Sequence, residues 1–431
     1  MNRSRILVKN VSLGVIYKAI NLIVVFTTIP LLLNYLEKEQ YGVWVTIFSI
    51  VNIVFFVDAG IGNGLKTKLS EAISLKDFKL ASTYISTAYI FISILALLLL
   101  IIGFVLIFNF NLQTILNTSI ENEELKTVLL TILVMVVISF LLSLFKPFYY
   151  ATQQASKVEL AMLIYQVIVL IGIFILLHYF TRNLLFIAII YGGSNILIGS
   201  IFTVMFFKKH KNIKFNINSF EKNKVKDLMG LSLAFFCIQL CMIIIFTTDN
   251  LIITNLIGPE EVTTYDIVYK LFQVIITISV IAQDSFWALY TDAFQKKDFK
   301  WIKQTLQRLN LLFLLLVGFV VIMYFFSKTI ILFWIQKELN ISKNLILFMS
   351  LFVMVRVYGV IYMNFLNSIG KVKLQMWLYV FGAILNIPLS IYFVEECNFG
   401  SSGVILGTIV SVISLTIALP IQSKIILNKH D

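Results

Sequence analysis

Long apolar runs alternate with short polar segments along most of this 431-residue chain. A helix needs about 20 mostly apolar residues to cross the hydrocarbon core of a bilayer. The pattern predicts twelve such helices, at residues 12–36, 42–61, 83–108, 125–149, 158–179, 184–206, 231–257, 263–288, 306–327, 344–366, 374–394 and 401–423. The ninth is the least regular, because the apolar segment 331–335 continues beyond Lys328 and is also compatible with the membrane interface.

Composition supports a membrane protein over a soluble one. Hydrophobic residues make up 59% of the chain and charged residues 13%, whereas soluble domains usually carry about 25% charged residues. So much apolar surface cannot be hidden in a soluble core and needs lipid around it. The basic N-terminus leads into a long apolar run without a small-residue cleavage pattern, so we interpret that run as a first span and not as a signal peptide.

Lysine and arginine are distributed unequally between the two sides of the predicted membrane. With the N-terminus inside, the inner segments hold 24 of the 34 basic residues and the outer loops hold 6, the rest lying within spans. This bias predicts that both termini are cytoplasmic. The net charge of +12 then reflects topology and contact with anionic lipid, and we expect no nucleic-acid partner.

Two short words occur twice in the chain at nearly the same offset. FTT occupies residues 26–28 and again 246–248, and KDFK occupies 76–79 and again 297–300. Each word falls at the same place within its own set of six predicted spans. The two halves are therefore predicted to be copies that enter the membrane in the same direction.

The predicted architecture is an all-α polytopic membrane protein made of two parallel repeats. It comprises an N-terminal six-helix bundle (1–207), a cytoplasmic basic linker (208–227) and a C-terminal six-helix bundle (228–431). The repeats are expected to be related by a pseudo-twofold axis along the membrane normal. Such paired bundles are the usual framework for alternating access.

Cationic side chains within the spans are candidates for a binding site, because a charge at mid-membrane costs about 2.5–3.5 kcal/mol on insertion scales. Arg356 lies midway down the tenth span and is expected to face a cavity between the bundles. Lys270 and Lys18 are further candidates. However, Lys270 lies one turn from Asp266 and can pair with it, and Lys18 is near enough to the inner end to snorkel.

Two aspartates, Asp249 and Asp58, are candidates for coupling transport to an ion. A carboxylate within a helix core can bind H⁺ or Na⁺ and thereby bias one conformation. The competing interpretation is a structural hydrogen bond to a neighbouring helix. The sequence indicates no other cofactor.

Motifs of enzymes are absent from the sequence. There is no Walker A motif, no GxSxG and no metal-ligand cluster, and the outer loops are too short to house a catalytic domain. The glycine-rich segment 60–64 follows a span and leads into no βαβ unit, so it is not read as a nucleotide loop. The three cysteines are interpreted as packing residues. We therefore expect a protein that is not an enzyme.

A family resemblance is carried by motifs within residues 30–92 and 364–375. Residues 41–72, YGVWVTIFSIVNIVFFVDAGIGNGLKTKLSEA, resemble the first-half signature of Wzx-type oligosaccharide flippases, the polysaccharide transporter branch of the MATE-like (MOP) superfamily. Residues 364–375, NFLNSIGKVKLQ, are similar to the link that follows span ten in that family. The residues that match are Pro30, Tyr41, Gly42, Trp44, Asp58, Gly60, Gly62, Asn63, Gly64, Asn367, Gly370 and Lys371. The exit from span four, residues 146–157, matches only loosely.

The resemblance implies a MATE-like fold and a function. The substrate would be an undecaprenyl-diphosphate-linked oligosaccharide repeat unit, moved from the inner to the outer leaflet of the bacterial cytoplasmic (inner) membrane for O-antigen, lipopolysaccharide, capsule or exopolysaccharide synthesis. Arg356, Lys270 and Lys18 would bind the diphosphate, since arginine can grip a phosphate with two parallel donors. The polysaccharide polymerase and chain-length proteins of the pathway would be partners.

Other functions remain open on the sequence. A cation-coupled exporter of small amphipathic compounds would need acidic residues to dominate its cavity, whereas the three candidate cations offset the aspartates. A membrane glycosyltransferase or polymerase would need a large outer loop with catalytic groups. A scaffold without transport activity would lack a continuous polar cavity.

Overall fold

The computed structural model describes residues 3–56, 61–229, 233–284, 286, 289–290, 293–294 and 296–428. These residues are helical apart from turns and short connections. They pack into two units, of which the first comprises Met1–Trp44 and Val51–Leu233 and the second comprises Val45–Ile50 and Ala234–Asp431.

The first unit is built on long apolar helices with an aromatic-rich core. Phe140, Phe148 and Phe206 are among its fully buried side chains. Its helices are α1 (Arg3–Phe56), α2 (Ile61–Ser74), α3 (Phe78–Asn109), α4 (Leu112–Ile115), α5 (Asn122–Leu142), α6 (Phe145–Ala151), α7 (Ala155–Tyr179), α8 (Leu184–Lys209) and α9 (Lys222–Met229).

The second unit has its own core, which includes Tyr290, Phe365 and Tyr379. Its helices are α10 (Leu233–Thr247), α11 (Asp249–Leu256), α12 (Pro259–Asp284), α13 (Phe299–Ile335), α14 (Lys343–Ser368), α15 (Lys373–Glu395) and α16 (Ser401–Asn428). The most extensive helix contacts in this unit are those of α16 with α15 and α14. Each unit therefore buries an apolar centre of its own.

Ten helices of the described ranges are long and apolar enough to cross a membrane. They are Ser12–Val51, Phe78–Asn109, Asn122–Ala151, Ala155–Tyr179, Leu184–Lys209, Phe236–Leu256, Phe299–Ile335, Lys343–Ser368, Lys373–Glu395 and Ser401–Asn428. The first of them contains the first predicted span and residues 42–51 of the second. The predicted eighth span corresponds to α12, which carries Asp266 and Lys270 and is not among the ten. The prediction of an all-α, multi-pass membrane protein is confirmed.

The first two predicted spans are joined by a one-residue kink where the sequence predicted a loop. Glu37 alone leaves the helical conformation inside α1, with φ 61° and ψ −178°. Side chains on both sides of the kink are held. Tyr35 Oη donates to the Thr181 carbonyl at 2.7 Å, and Arg182 pairs with Glu37. Glu39 accepts hydrogen bonds from Thr118 and Ser119. Because these contacts fix the kink, no looped segment is needed.

A short part of α1 packs with the second unit. The hydroxyls of Thr46 and Thr254 lie 2.5 Å apart, and Asn250 Nδ2 donates to Ser49 Oγ at 2.9 Å. Both pairs join residues 45–50 to α11. These hydrogen bonds are consistent with the assignment of residues 45–50 to the second unit.

Left-handed backbone positions recur in the two halves of the chain. Glu37 and Gly258 are 221 positions apart, and so are Lys76 and Lys297. Further pairs occur at offsets of 219 and 217, namely Asn117 with Gln336 and Gln153 with Gly370. Residues with positive φ are uncommon outside glycine, so four pairs at nearly one offset support the internal repeat.

The repeated word KDFK also folds in the same way twice. Asp77 and Asp298 each cap the next helix, accepting from the backbone N–H of Leu80 at 2.9 Å and of Trp301 at 3.1 Å. The preceding lysine is left-handed in both copies. The turns are closed by equivalent backbone bonds, from Asp77 to Ala72 and from Asp298 to Ala293. The two copies of KDFK therefore share a local structure as well as a sequence.

The segment between α8 and α10 lies along the first unit. We call residues 210–229 the strap. Hydroxyls on α3 accept its backbone N–H groups: Lys214 donates to Ser82 at 3.0 Å, Asn216 to Ser86 at 3.0 Å and Glu221 to Thr87 at 3.3 Å. Lys224 lies over the Tyr84 ring, and its hydrogen bond to Asp227 raises the pKa of Lys224. The basic segment predicted as a linker is therefore fixed to α3.

Gly64 is the point of closest approach between the strap and α2. A Cβ at Gly64 would lie 1.8 Å from the Leu228 carbonyl oxygen, and Leu228 is fully buried. Only a residue without a side chain fits there. This contact gives Gly64, a residue of the glycine-rich motif, a packing role.

Candidate functional site

The seventh predicted span has a local irregularity at Thr248, inside its FTT segment, where φ −75° and ψ −16° remain helical. α10 ends at Thr247 and α11 begins at Asp249, which is only 5% exposed. The irregularity is followed directly by the carboxylate of Asp249, which is buried inside the second unit.

Asp249 is the centre of a hydrogen-bond network. Tyr265 Oη donates to its Oδ2 at 2.6 Å, and Thr408 Oγ1 donates to its Oδ1 at 3.2 Å. Asn386 Nδ2 donates to Thr408 at 3.1 Å, and Thr248 Oγ1 lies 3.5 Å from Asn386 Oδ1. The network joins α11, α12, α15 and α16. It therefore combines one carboxylate with hydroxyl and amide oxygens, and within the described residues no group of three His, Cys, Asp or Glu forms a metal centre.

Arg356 lies on α14 with its guanidinium between two aromatic side chains. Its Nη1 donates to Tyr379 Oη at 3.1 Å, and its Cζ lies 4.2 Å from the centre of the Phe246 ring. No ion pair joins it to a carboxylate in the described part of the chain. It borders a cavity of about 20 Å³ that is also lined by Gly359 and Thr416, a volume sufficient for about one water molecule.

A row of aromatic rings connects Arg356 to Asp249. The ring centroids of consecutive pairs are 6.0 to 6.3 Å apart, in the order Phe246, Phe352, Tyr269 and Tyr265. Arg356 lies on the first ring and Asp249 accepts from the last. The structure therefore brings these two predicted residues into one continuous contact path within the second unit.

Lys270 and Lys18 are both in ion pairs. Lys270 Nζ is 2.6 Å from Asp266 on the same helix, one turn away, as the spacing predicted. Lys18 Nζ is 3.6 Å from Glu159 Oε1 on α7. Lys270 belongs to the second unit, whereas Lys18 belongs to the first unit with Glu159.

The remaining predicted residues are spread over several parts of the chain. Asp58 and Gly60 lie outside the described residues. Tyr41 and Trp44 are buried in α1, which also contains Pro30. The others are placed in α1 (Gly42), in α2 (Gly62, Asn63, Gly64), in α14 (Asn367) and in the turn after α14 (Gly370, Lys371). Among those of these residues that the structure describes, only Gly370 is left-handed, with φ 71°.

Sequence reasoning missed the partners that complete the site. Tyr265 and Thr408 contact Asp249 from 16 and 159 positions away. Tyr379 contacts Arg356 from 23 positions away. The sequence marks these partners only as hydroxyl side chains within apolar spans. Such side chains are common there and usually bond to their own helix, so they do not indicate a site.

The chain was compared with known proteins. The family model for polysaccharide biosynthesis proteins matches residues 7–285, more than half of the chain, and the MatE model matches residues 235–392. A protein of Salmonella typhimurium named as an O-antigen transporter is 27% identical over 204 residues, which are 46% of this chain and 46% of that protein. The chain thus spans about half the length of that relative.

Two further comparisons cover nearly the whole chain. A Yersinia pseudotuberculosis protein named as an O-antigen export protein is 23% identical over 415 residues, covering 91% of this chain and 90% of that protein. The structure of an inward-facing multidrug resistance MATE family transporter of the MOP superfamily has a TM-score of 0.77 at 15% identity, covering 100% of this chain and 99% of that one. The fold is therefore MATE-like, and the chain belongs to the family of polysaccharide biosynthesis proteins.

Proposed function

We propose that this chain is a flippase that moves undecaprenyl-diphosphate-linked oligosaccharide repeat units from the inner to the outer leaflet of the bacterial cytoplasmic membrane. The observation that carries the proposal is family membership over residues 7–285, together with two relatives named for O-antigen transport and export. The MATE-like fold is consistent with alternating access. The protein acts as a transporter and not as an enzyme, for O-antigen, capsule or exopolysaccharide synthesis.

Arg356 is the residue that we assign to the diphosphate. A guanidinium has five N–H donors in a planar fork, and the contact with Tyr379 involves only one of its nitrogen atoms. A phosphate group can therefore accept two parallel hydrogen bonds from it. Since the adjoining cavity holds about one water molecule, it must widen when substrate is bound.

Lys270 and Lys18 are assigned a supporting role at the diphosphate. Both are paired with carboxylates, Asp266 and Glu159, so their charge is partly compensated in this state. A point charge of this kind attracts phosphate without fixing its orientation. When phosphate binds, it replaces the carboxylate partner of the lysine. The carboxylate can later displace the phosphate again, so the substrate is released easily, as a carrier needs.

Asp249 is the residue that we assign to ion coupling, with Asp58 as the second predicted candidate. Asp249 is buried and accepts hydrogen bonds from the hydroxyls of Tyr265 and Thr408, and the Asn386 amide contacts Thr408. Carboxylate and hydroxyl oxygens suit a hard cation such as Na⁺, and a buried carboxylate can alternatively take up H⁺. The aromatic row between Asp249 and Arg356 offers a packed path by which the state of one site biases the other.

The positive-inside bias supports a topology with both termini in the cytoplasm. The partners in this interpretation are the polysaccharide polymerase and chain-length proteins of the same pathway. They would receive the repeat units on the outer face.

Deletion of the gene in its own host tests the function. Surface polysaccharide should disappear and lipid-linked repeat units should accumulate in the inner leaflet, and both effects should be reversed by re-expression. Polysaccharide that stays normal in the deletion strain would contradict the proposal.

A cation-coupled exporter of small amphipathic compounds is the second candidate. The MatE match over residues 235–392 and the fold of multidrug transporters favour it. Resistance to amphipathic cations that rises with expression, with no change in surface polysaccharide, would support this alternative.

A further inference from the structure

The outward face of the strap is apolar at its middle. Phe215 is 50% exposed, Ile217 66% and Phe220 39%. The inward face is also apolar, because Ile213 and Leu228 are buried against the first unit. The strap therefore has a second apolar side, and the first unit does not cover it.

The strap runs along a part of α3 that lies near a membrane boundary. Its bonding partners Ser82 and Ser86 are four and eight residues from the start of α3, and Tyr89, whose ring is 5.5 Å from Phe215, is eleven. At 1.5 Å per residue these are about 6, 12 and 17 Å along the helix. α3 is 32 residues long, about 48 Å, so roughly 9 Å at each end exceed a 30 Å hydrocarbon core. The middle of the strap thus lies about at the edge of that core.

Lysines lie at the two ends of the strap and next to it. Lys211, Lys214, Lys222 and Lys226 are exposed, and so are Lys208 and Lys209 at the end of α8. The strap has two acids, Glu221 and Asp227, of which Asp227 pairs with Lys224 at 3.3 Å. The apolar middle is therefore flanked on both sides by cations at the level of lipid headgroups.

We propose that the strap is an interfacial membrane anchor. Residues 215–220 insert into the leaflet on their side, and the flanking lysines bind anionic phospholipid headgroups. An apolar surface with basic flanks is how chains are held at a bilayer interface. A lipid surface is favoured over a soluble partner, because the apolar middle lies at the depth of the bilayer on a helix that crosses it. The inference does not depend on the transported substrate.

Site-directed spin labelling of the full-length protein in nanodiscs tests the anchor. The three native cysteines are replaced by serine, and a label is placed by Ile217→Cys or, as the matched control, by Asn212→Cys at an exposed position near the base of the strap. The discs contain phosphatidylcholine with or without phosphatidylglycerol. The measurement is collision of the label with oxygen, which concentrates in lipid, and with an aqueous nickel chelate.

In discs with phosphatidylglycerol, the label at 217 should collide mainly with oxygen and the label at 212 mainly with nickel. The triple variant Lys211→Gln, Lys214→Gln, Lys222→Gln should shift the label at 217 towards nickel, as should omission of phosphatidylglycerol. Equal nickel access at 217 and 212 would overturn the anchor and leave the surface open to a soluble protein. Insertion that is unaffected by the lysines and by phosphatidylglycerol would overturn the anionic-lipid part.

Discussion

Substitutions of Arg356 can distinguish the contribution of its positive charge to transport from that of its planar guanidinium. Arg356→Lys keeps the charge and loses the planar fork, so we expect partial loss of glycan export. Arg356→Ala removes both and should reduce export severely while the protein stays in the membrane. Export is measured as surface polysaccharide in the deletion strain, and abundance is measured by immunoblot.

The rival role for Arg356 is structural, through Tyr379 and Phe246. In that case Arg356→Ala should lower abundance as much as export. Tyr379→Phe is the matched control, since it removes only the hydroxyl that accepts from the guanidinium and is expected to cost about 1 kcal/mol of stability. Normal export by a stable Arg356→Ala protein would refute the binding role.

Asp249 provides a test of ion coupling. Asp249→Asn keeps the shape and can still accept from Tyr265, so the fold should persist while the negative charge is lost. We expect transport into vesicles to become independent of an imposed H⁺ or Na⁺ gradient. Unchanged gradient dependence in this variant would indicate a structural hydrogen bond only. Thr408→Val, which removes one neutral partner, should weaken coupling less.

Gly64 provides a test of the strap contact. Gly64→Ala places a methyl group against the Leu228 carbonyl and should destabilise the first unit by about 1–3 kcal/mol. Gly193→Ala is the matched control, because a Cβ there has open space within 4 Å, and alanine favours the helix by roughly 0.5–1 kcal/mol. Thermal unfolding in detergent checks both. Equal midpoints for the two variants would contradict the close approach.

Helices α3 and α13 each begin with an aspartate N-cap from the KDFK segment. Loss of this N-cap should therefore have the same effect on stability in both copies. Asp77→Ala and Asp298→Ala each remove an N-cap and should each cost about 1 kcal/mol of unfolding free energy. The effects should add, because the caps share no partner. Lys79→Ala, at an exposed position, should change stability by less than about 0.5 kcal/mol. Denaturation in detergent compares the parent protein, the three single variants and the Asp77→Ala, Asp298→Ala double variant. Loss of stability in one copy alone would contradict equivalent folding.

The apolar runs predicted the membrane helices well, because burial in lipid is a property summed over about 20 residues. The kink at Glu37 changes a single backbone position and leaves that sum unaltered. Helix α13 continues to Ile335, so the apolar segment 331–335 belongs to the same helix as the ninth predicted span. Hydropathy therefore predicts which elements exist better than where they bend.

The candidate site was predictable only in its charged members. Arg356 and Asp249 stand out because a charge inside a span is costly. Their neutral partners, such as Tyr379 and Thr408, come from other helices, and the sequence holds no local signal of those contacts. The strap is a similar case, since its bonds to α3 connect residues about 130 positions apart.

The whole molecule has a predicted orientation in the membrane. Cysteine at Glu123, in an acidic outer segment, should react with an impermeant maleimide in intact cells from which the outer barrier has been removed. Cysteine at Lys211, in the strap, should react only after the inner membrane is opened. The native cysteines are replaced beforehand. The reverse pattern of labelling would invert the topology.

The attachment of the strap to α3 decides where the polypeptide can be divided into two separately expressed pieces. A cut between Asn216 and Ile217 would separate two strap segments that both bond to α3. A cut between Met229 and Leu233 would leave every strap contact described above within one piece. Co-expressed fragments divided at the second place should therefore reassemble into an active transporter more readily than fragments divided at the first, even though 208–227 is the stretch that composition marks as the linker.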